Sequence, residues 1–206
     1  GIASDDAFLA YRSNQTGWFS RTVNDTVSAY GNWTNCYPEE NSLRNTLIVR
    51  ADGAAGTVDE QGQWQTPFLA DPESPNHIFI GKTLIYESID YGQNWNALPC
   101  IGLNAGGTLN HIEISWLDEN YIYAARHNQI FSSNDGGLTF NDVTGADLPN
   151  KWITDIEVDD ANPERVFITM GTYTSGEKVY VSDDAGQNWS EMSDGIPDIP
   201  VNCILY

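Results

Sequence analysis

Basic residues are scarce in this chain. Nine Lys and Arg stand against 29 Asp and Glu in 206 residues, a formal charge of −20. A nucleic-acid backbone is bound by Lys and Arg gathered on one face, so DNA and RNA are excluded as partners. Cysteine is sparse too. Cys36, Cys100 and Cys203 form neither a CxxC pair nor a metal cluster, and an odd count leaves at least one thiol unpaired within one chain. One disulfide and buried free thiols are both compatible with that spacing. No apolar run approaches the roughly 20 residues of a membrane-spanning helix, so no membrane insertion is expected. Segments with a 3.6-residue apolar period and caps are missing as well, which argues against helices. The chain is nonetheless globular in composition, at 40% hydrophobic and 12% aromatic.

What is present is a repeat. Three octapeptides share one pattern: SIDYGQNW at Ser88–Trp95, SNDGGLTF at Ser133–Phe140 and SDDAGQNW at Ser182–Trp189, their starts 45 and 49 residues apart. Each reads Ser-x-Asp-x-Gly-x-(Asn/Thr)-(Trp/Phe). A second block repeats in register with them. Trp64, Thr66, Phe68, Ala70 and Asp71 map onto Trp152, Thr154, Ile156, Val158 and Asp159 at an offset of 88, and half that offset, 44, takes Phe68 to Ile112 and Phe79 to Tyr123. The unit is therefore about 44 residues long.

Within a unit the period is two, as strands require. First strands are expected at Phe68–Ala70, Ile112–Ile114 and Ile156–Val158. Second strands follow at His77–Ile80, Tyr121–Ala124 and Arg165–Thr169, and third strands at Leu84–Ser88, Gln129–Ser133 and Lys178–Ser182. Fourth strands start at Trp95, Phe140 and Trp189. Four short strands in such a unit define the fold class: all-β, a β-propeller built of four-stranded antiparallel blades.

The octapeptide has a local physical role. Gly92, Gly137 and Gly186 can take positive φ and turn the chain tightly. Asp90, Asp135 and Asp184 can accept backbone N–H groups across the turn, and Ser88, Ser133 and Ser182 open it. Trp95, Phe140 and Trp189 then begin the next strand with a large apolar surface. All twelve residues are read as structural, because a scaffold repeats its loops whereas an active site normally occurs once. These octapeptides resemble the Asp-box, or BNR, repeats of sialidase-like, sortilin-like and xyloglucanase-like secreted proteins. The resemblance spans Trp64 to about Tyr206. It implies a propeller whose boxes lie on hairpins between the third and fourth strands, remote from any substrate site.

Residues 1–62 fit less well and are expected to form a degenerate or elaborated blade with a long loop, a separate small domain being the runner-up. LAYRSNQTGWF at Leu9–Phe19 is similar to a box, with Gln15 at the Asp position, and one further strand is expected at Thr46–Arg50. Residues 63–206 are assigned three Asp-box blades plus the first strand of a further blade, Val201–Tyr206. Three clear repeats and a degenerate one are few for a propeller of roughly four to eight blades. The expectation is a partial propeller belonging to a longer polypeptide, with the remainder of that polypeptide or neighbouring subunits as partners.

No catalytic residue emerges. A sialidase-like site implies clustered arginines, whereas Arg12, Arg21, Arg44, Arg50, Arg126 and Arg165 are scattered. A glycosidase needs two carboxylates about 5 to 9 Å apart, and so acidic a chain supplies such pairs without meaning. Asp59 and Glu60 are the least repetitive acidic pair and read as a solvated turn. His77, His111 and His127 lack metal-ligand spacing and read as structural. No cofactor is implied, and calcium in a loop is left open. The expected function is an extracellular or cell-surface propeller acting as a binding or structural module. The alternative is a glycoside hydrolase acting on a polysaccharide, and the ligand in either case is a polysaccharide or a protein. Secretion is favoured by the charge and by the resemblance. Sequons at Asn14, Asn24, Asn32 and Asn188 add the expectation of a glycoprotein.

Overall fold

The computed structural model describes residues 63–92, 94–103 and 107–206, together with the backbone of the strands within residues 1–62. Two compact units divide the chain, Gly1–Pro99 and Cys100–Tyr206.

The first unit opens with a four-stranded antiparallel sheet of β1 (Ile2–Ala3), β2 (Leu9–Asn14), β3 (Trp18–Val23) and β4 (Thr34–Asn35), in that order. A two-stranded pair follows, β5 (Leu47–Val49) with β6 (Ala55–Thr57), where one strand was expected at Thr46–Arg50. The third sheet is β7 (Phe68–Ala70), β8 (Ile78–Gly81), β9 (Ile85–Ser88) and β10 (Asn96–Ala97), paired consecutively. The box-like segment Leu9–Phe19 falls on the β2–β3 hairpin, between the second and third strands of its sheet. The box from Ser88 instead joins a third strand to a fourth. Cys36, Asp59, Glu60, Asn24 and Asn32 lie outside the described residues.

In the second unit two sheets repeat the pattern. One is β11 (His111–Ile114), β12 (Tyr121–Arg126), β13 (Gln129–Asn134) and β14 (Asn141–Asp142). The other is β15 (Ile153–Asp159), β16 (Asn162–Met170), β17 (Val179–Ser182) and β18 (Ser190–Glu191). The expected strands are present in all three Asp-box sheets, and each box links the third strand to the fourth. The fold is all-β, with antiparallel four-stranded blades of a partial propeller.

Alternation explains how the two sheets of the second unit meet. On β11, Ile112 and Ile114 are buried while His111 and Glu113 lie on the other face; on β15, Ile156 and Val158 alternate with Asp155 and Glu157. Tyr123, Ile130, Ile156, Val166, Ile168 and Trp189 are among the buried side chains that pack together across the two sheets. Burying each such side chain contributes about 1.5–3 kcal/mol. Polar groups sew the same boundary. The Tyr123 hydroxyl donates to the Pro163 carbonyl at 2.7 Å, and the Asn110 side-chain amide donates to the Ile153 carbonyl at 2.7 Å. The Asn110 Oδ1 accepts the His127 N–H at 2.7 Å.

Residues 201–206 enter no ladder. They are held by β15 and β16: the Thr154 hydroxyl donates to the Val201 carbonyl, the Val201 N–H to the Met170 carbonyl, the Ile204 N–H to Asp155 and the Tyr206 N–H to Glu157. The Tyr206 ring stacks on Phe167 with centroids 4.7 Å apart.

Candidate functional site

The boxes are built almost identically. In the third, the Ser182 hydroxyl donates to Asp184 Oδ1 at 2.8 Å and accepts the Gly186 N–H at 2.8 Å. Asn188 gives both its backbone N–H and its side-chain amide to the Asp184 carboxylate, at 2.8 and 2.6 Å. Asn94 on Asp90 and Thr139 on Asp135 repeat this geometry. Two of these carboxyls are held below their ordinary value. For Asp184 the Asn188 donors act most strongly; for Asp135 burial pushes upward, but bonds from Thr139 and Ser133 outweigh it. The donors to Asp135 and Asp184 come from the turn itself.

The glycines take positive φ as expected: 77° at Gly92, 79° at Gly137 and 90° at Gly186. The residue before each is left-handed as well, at 63° for Tyr91, 69° for Gly136 and 57° for Ala185. That second left-handed residue was not legible from the motif, because only one of the three is glycine.

Boxes also reach backwards along the chain. The Cys100 N–H donates to the Gly137 carbonyl and the Phe140 N–H to the Ile101 carbonyl, at 3.0 and 2.7 Å. The Trp189 indole donates to the Val143 carbonyl at 2.9 Å, whereas the Trp95 indole donates within its own turn to the Gly92 carbonyl at 3.1 Å. Each box of the second unit thus docks the segment that follows the previous fourth strand.

A second cluster lies on the first strands of the two blades of this unit, towards the end at which the boxes sit. A cleft of about 220 Å³ is lined by Glu113, Trp116, Glu157, Asp159, Asp160 and Tyr206, among others. His111 and Asp155 occupy equivalent positions of β11 and β15, and their Nε2 and Oδ1 atoms are 2.7 Å apart. Glu113 and Glu157 are the next equivalent pair on the same faces. Glu113 as a residue is half-buried, while its carboxyl is enclosed by the cleft. Burial, then the neighbouring Glu157, push that carboxyl up to about 8; the Ile114 N–H opposes them. Glu157 is also raised, first by burial. The sequence reading passed over these residues because acids are everywhere in the chain. Their signal was positional: acids on the alternate face of a first strand, repeated at the blade period.

The opposite end of the same unit carries aromatics. Trp152 and Tyr173 are 44% and 73% exposed. Trp152 precedes β15, and Tyr173 lies on the β16–β17 loop. The Trp152 carbonyl accepts the Gly171 N–H at 2.9 Å, and the His127 ring meets the indole in a T-shaped contact, with centroids 4.7 Å apart. Lys151 ties the two loops together, reaching the Thr174 hydroxyl at 3.4 Å and Glu177 at 3.5 Å. Here His127, read from sequence as structural, is an aromatic prop. Trp64, one double repeat earlier, is 65% exposed in the first unit.

His77 in the first unit lies between two carboxylates, 2.8 Å from Glu87 and 3.8 Å from Asp71. Asp71 and His77 offer ligand atoms of the kind that can hold a metal ion. Cys100 is buried and Cys203 exposed. Among the described residues no helix is long and apolar enough to cross a membrane.

Comparison with known proteins agrees with this architecture. A family profile described as BNR/Asp-box repeat matches residues 180–191, the third box and its flanking strands. A xyloglucanase of Hypocrea jecorina is 26% identical over 181 residues, covering 78% of this chain and 21% of the relative. The chain therefore spans about a fifth of that protein's length. Among solved structures, an ancestral GH74 enzyme aligns with a TM-score of 0.60 at 16% identity, over 95% of this chain and 24% of its own. The GH74 xyloglucanase from Xanthomonas campestris aligns with a TM-score of 0.57 at 18% identity, over 92% of this chain and 29% of its own. At these identities the structures establish a shared blade fold, and the chain resembles part of these propellers.

Proposed function

We propose that this chain is part of a polysaccharide-acting propeller enzyme of the xyloglucanase kind, and that it meets its glycan at the loop end opposite the Asp boxes. The observation that carries the reading is the platform of Trp152 and Tyr173. Large exposed aromatics on adjoining loops are informative where isolated exposed apolar residues are not. An indole propped by the His127 ring, on a backbone fixed by the Gly171 N–H, presents an apolar face next in sequence to Lys151, which reaches Thr174 and Glu177. Sugar rings have that character, with apolar C–H faces and hydroxyl edges. The likeness to xyloglucan-cleaving proteins favours hydrolysis over a module that only binds. Such a polymer lies outside the cytoplasm, where the charge of −20 keeps a large β surface soluble. Calcium near Asp71 is retained as a candidate structural ion.

The test combines turnover with binding. The protein is incubated with xyloglucan, mixed-linkage glucan and sialyl-lactose, and release of new reducing ends is measured beside retention in glycan-loaded gels. Reducing ends from xyloglucan are expected, together with an affinity that falls about tenfold, or about 1.4 kcal/mol, in Trp152→Ala at an unchanged unfolding midpoint. Retention without new reducing ends would return the protein to the class of binding modules. Equal retention of parent and variant would remove the platform from the account.

A further inference from the structure

Aspartate followed by glycine is a chemically reactive pair, and three occur in the chain: Asp52–Gly53, Asp135–Gly136 and Asp194–Gly195. Glycine lacks the Cβ that shields the amide nitrogen after other aspartates, such as those before Tyr91 and Ala185 in the first and third boxes. We propose that Asp194–Gly195 is a site of spontaneous isoaspartate formation, and that the fold of the second box protects Asp135–Gly136 from the same reaction. Asp52–Gly53 lies outside the described residues.

In the reaction the Gly195 nitrogen bonds to Asp194 Cγ in its carboxylic-acid form. The amide hydrogen and the acid hydroxyl leave as water, and a succinimide ring closes. Water then adds to the ring carbonyl that came from the Asp194 main chain, and the bond from that carbon to the Gly195 nitrogen breaks. The chain now runs through Cβ and Cγ, and the former main-chain carbonyl is the free carboxylate. Mass and charge are those of the parent, and no oxidant or other reactant is consumed. Asp194 and Gly195 are both exposed, in the turn after β18. The Ile196 N–H closes that turn on the Ser193 carbonyl at 3.0 Å, with Gly195 at φ of 80°. Among the described residues nothing bonds to the Asp194 carboxyl or the Gly195 N–H, and a Cβ built on Gly195 would have no neighbour within 4 Å. Both reacting groups are free to meet, at an exposed tip where local movement is least opposed.

Asp135–Gly136 is held at both reacting groups. The Gly136 N–H donates to the Asn120 carbonyl at 3.1 Å, so the nitrogen that would attack is engaged. The carboxyl that would be attacked accepts the Thr139 N–H at 2.9 Å, the Thr139 hydroxyl at 2.6 Å and the Ser133 hydroxyl at 2.8 Å. Burial pushes this carboxyl upward, but the bonds from Thr139 and Ser133 outweigh it, which leaves less of the acid form that loses water. Asp135 is itself exposed, so its protection comes from these bonds and not from exclusion of water. Reaction there needs the box to open, and is slowed by the scarcity of the open form, about tenfold or more for a modestly stable turn.

The folded protein is incubated for weeks in mildly acidic buffer, and isoaspartate is located by electron-transfer fragmentation of its peptides. Conversion of Asp194 is expected to run at least about tenfold faster than that of Asp135. The same chain unfolded in guanidinium is the reference: both pairs are free there, and their rates are expected to agree within about threefold. Asp194→Glu, whose longer side chain closes the ring poorly, is expected to remove the signal from its peptide. Equal rates in the folded protein overturn the proposal, as does an absence of isoaspartate at Asp194. A tenfold ratio that persists in the unfolded chain overturns it as well, since flanking sequence and not the box would then set the difference. A signal that survives in Asp194→Glu belongs to another residue and overturns the site.

Discussion

Two sets of carboxylates sit at the same end of the second unit and behave in opposite ways. In the boxes, Asp135 and Asp184 are held below their ordinary value by donors from the turn; on the first strands, Glu113 and Glu157 are pushed above theirs by burial and then by neighbouring acids, Glu157 acting on Glu113 and Asp155 on Glu157. The difference lies in where the partners come from. A box aspartate receives its N–H and hydroxyl donors from residues within four positions of itself. A first-strand glutamate meets whatever the next blade places opposite it, and here that is another acid. Self-contained loops can be copied from blade to blade without regard to their neighbours, whereas a first strand depends on what the adjoining blade presents to it.

The pH response differs with them. Box carboxylates with depressed values stabilise the fold above their ordinary value of 3.8, and that contribution is lost as pH falls through the lower folded value. Glu113, with a raised value, works in the other direction. Its contribution is fully present below 4.5 and is lost as pH rises towards about 8. Acid therefore attacks the boxes and alkali the first strands.

The largest expected effect tests whether a box is as self-contained as its hydrogen bonds suggest. Gly186 has φ of 90°, and a Cβ there would lie 2.7 Å from Val143 Cγ2, a side chain of the preceding blade. Gly186→Val combines backbone strain with a collision across the blade boundary, and we expect a loss of about 3 kcal/mol or more in urea unfolding. Gly195, at φ of 80° with nothing within 4 Å, is the control. Gly195→Ala is expected to lose only about 1 kcal/mol. Equal losses at the two positions would mean that contact between blades contributes nothing at the box.

Next in size is the carboxylate itself. Asp184→Ala removes the acceptor for Ser182 and for both donors of Asn188, and a loss of about 1–2 kcal/mol at neutral pH is expected. The gap between parent and variant should close as the solution is acidified, because protonation removes the same acceptor. A gap that persists in strong acid would assign the loss to packing. Asn188 bears on glycosylation as well. Its side-chain nitrogen is already given to Asp184 at 2.6 Å, so a glycan there would take the donor away.

What could be read from the chain follows the same division. The strands and the boxes were legible because their causes are local: period-two alternation for Ile112 and Ile114, and the Ser-x-Asp-x-Gly pattern for the turns. The first-strand acids were not, because the value of Glu113 depends on Glu157, 44 positions away in another blade. The platform was hidden for a related reason. Trp152 was found as a repeat position and taken as part of the scaffold, although the fold leaves it exposed, as it does Tyr173, which sits in a stretch where the repeat lengthens. The β2–β3 hairpin shows the limit of analogy: its sequence is similar to a box, yet it joins a different pair of strands.

The smallest effect asks whether the second left-handed residue is intrinsic to the box or imposed on it. The position is Tyr91, Gly136 and Ala185 in the three copies, all with φ between 57° and 69°. At Gly136 an added Cβ would meet only Asn120 Oδ1, at 3.6 Å, an ordinary contact. Gly136→Ala therefore isolates the backbone cost. A left-handed alanine costs about 1–2 kcal/mol, and the stiffer unfolded chain returns about 0.4–1 kcal/mol. A net loss of about 0.5–1 kcal/mol is expected. Ala185→Gly is the reverse exchange, but its methyl packs against the buried cluster of the second unit. Relief of strain and loss of that contact should nearly cancel, leaving a change of about 0.5 kcal/mol or less. Urea midpoints of the two variants beside the parent resolve the pair. If Gly136→Ala is as stable as the parent, the left-handed preference belongs to the Ser-x-Asp-x-Gly frame, which would then hold any side chain there without penalty. If Ala185→Gly is clearly more stable, the third box carries strain that the blade packing has been holding in place.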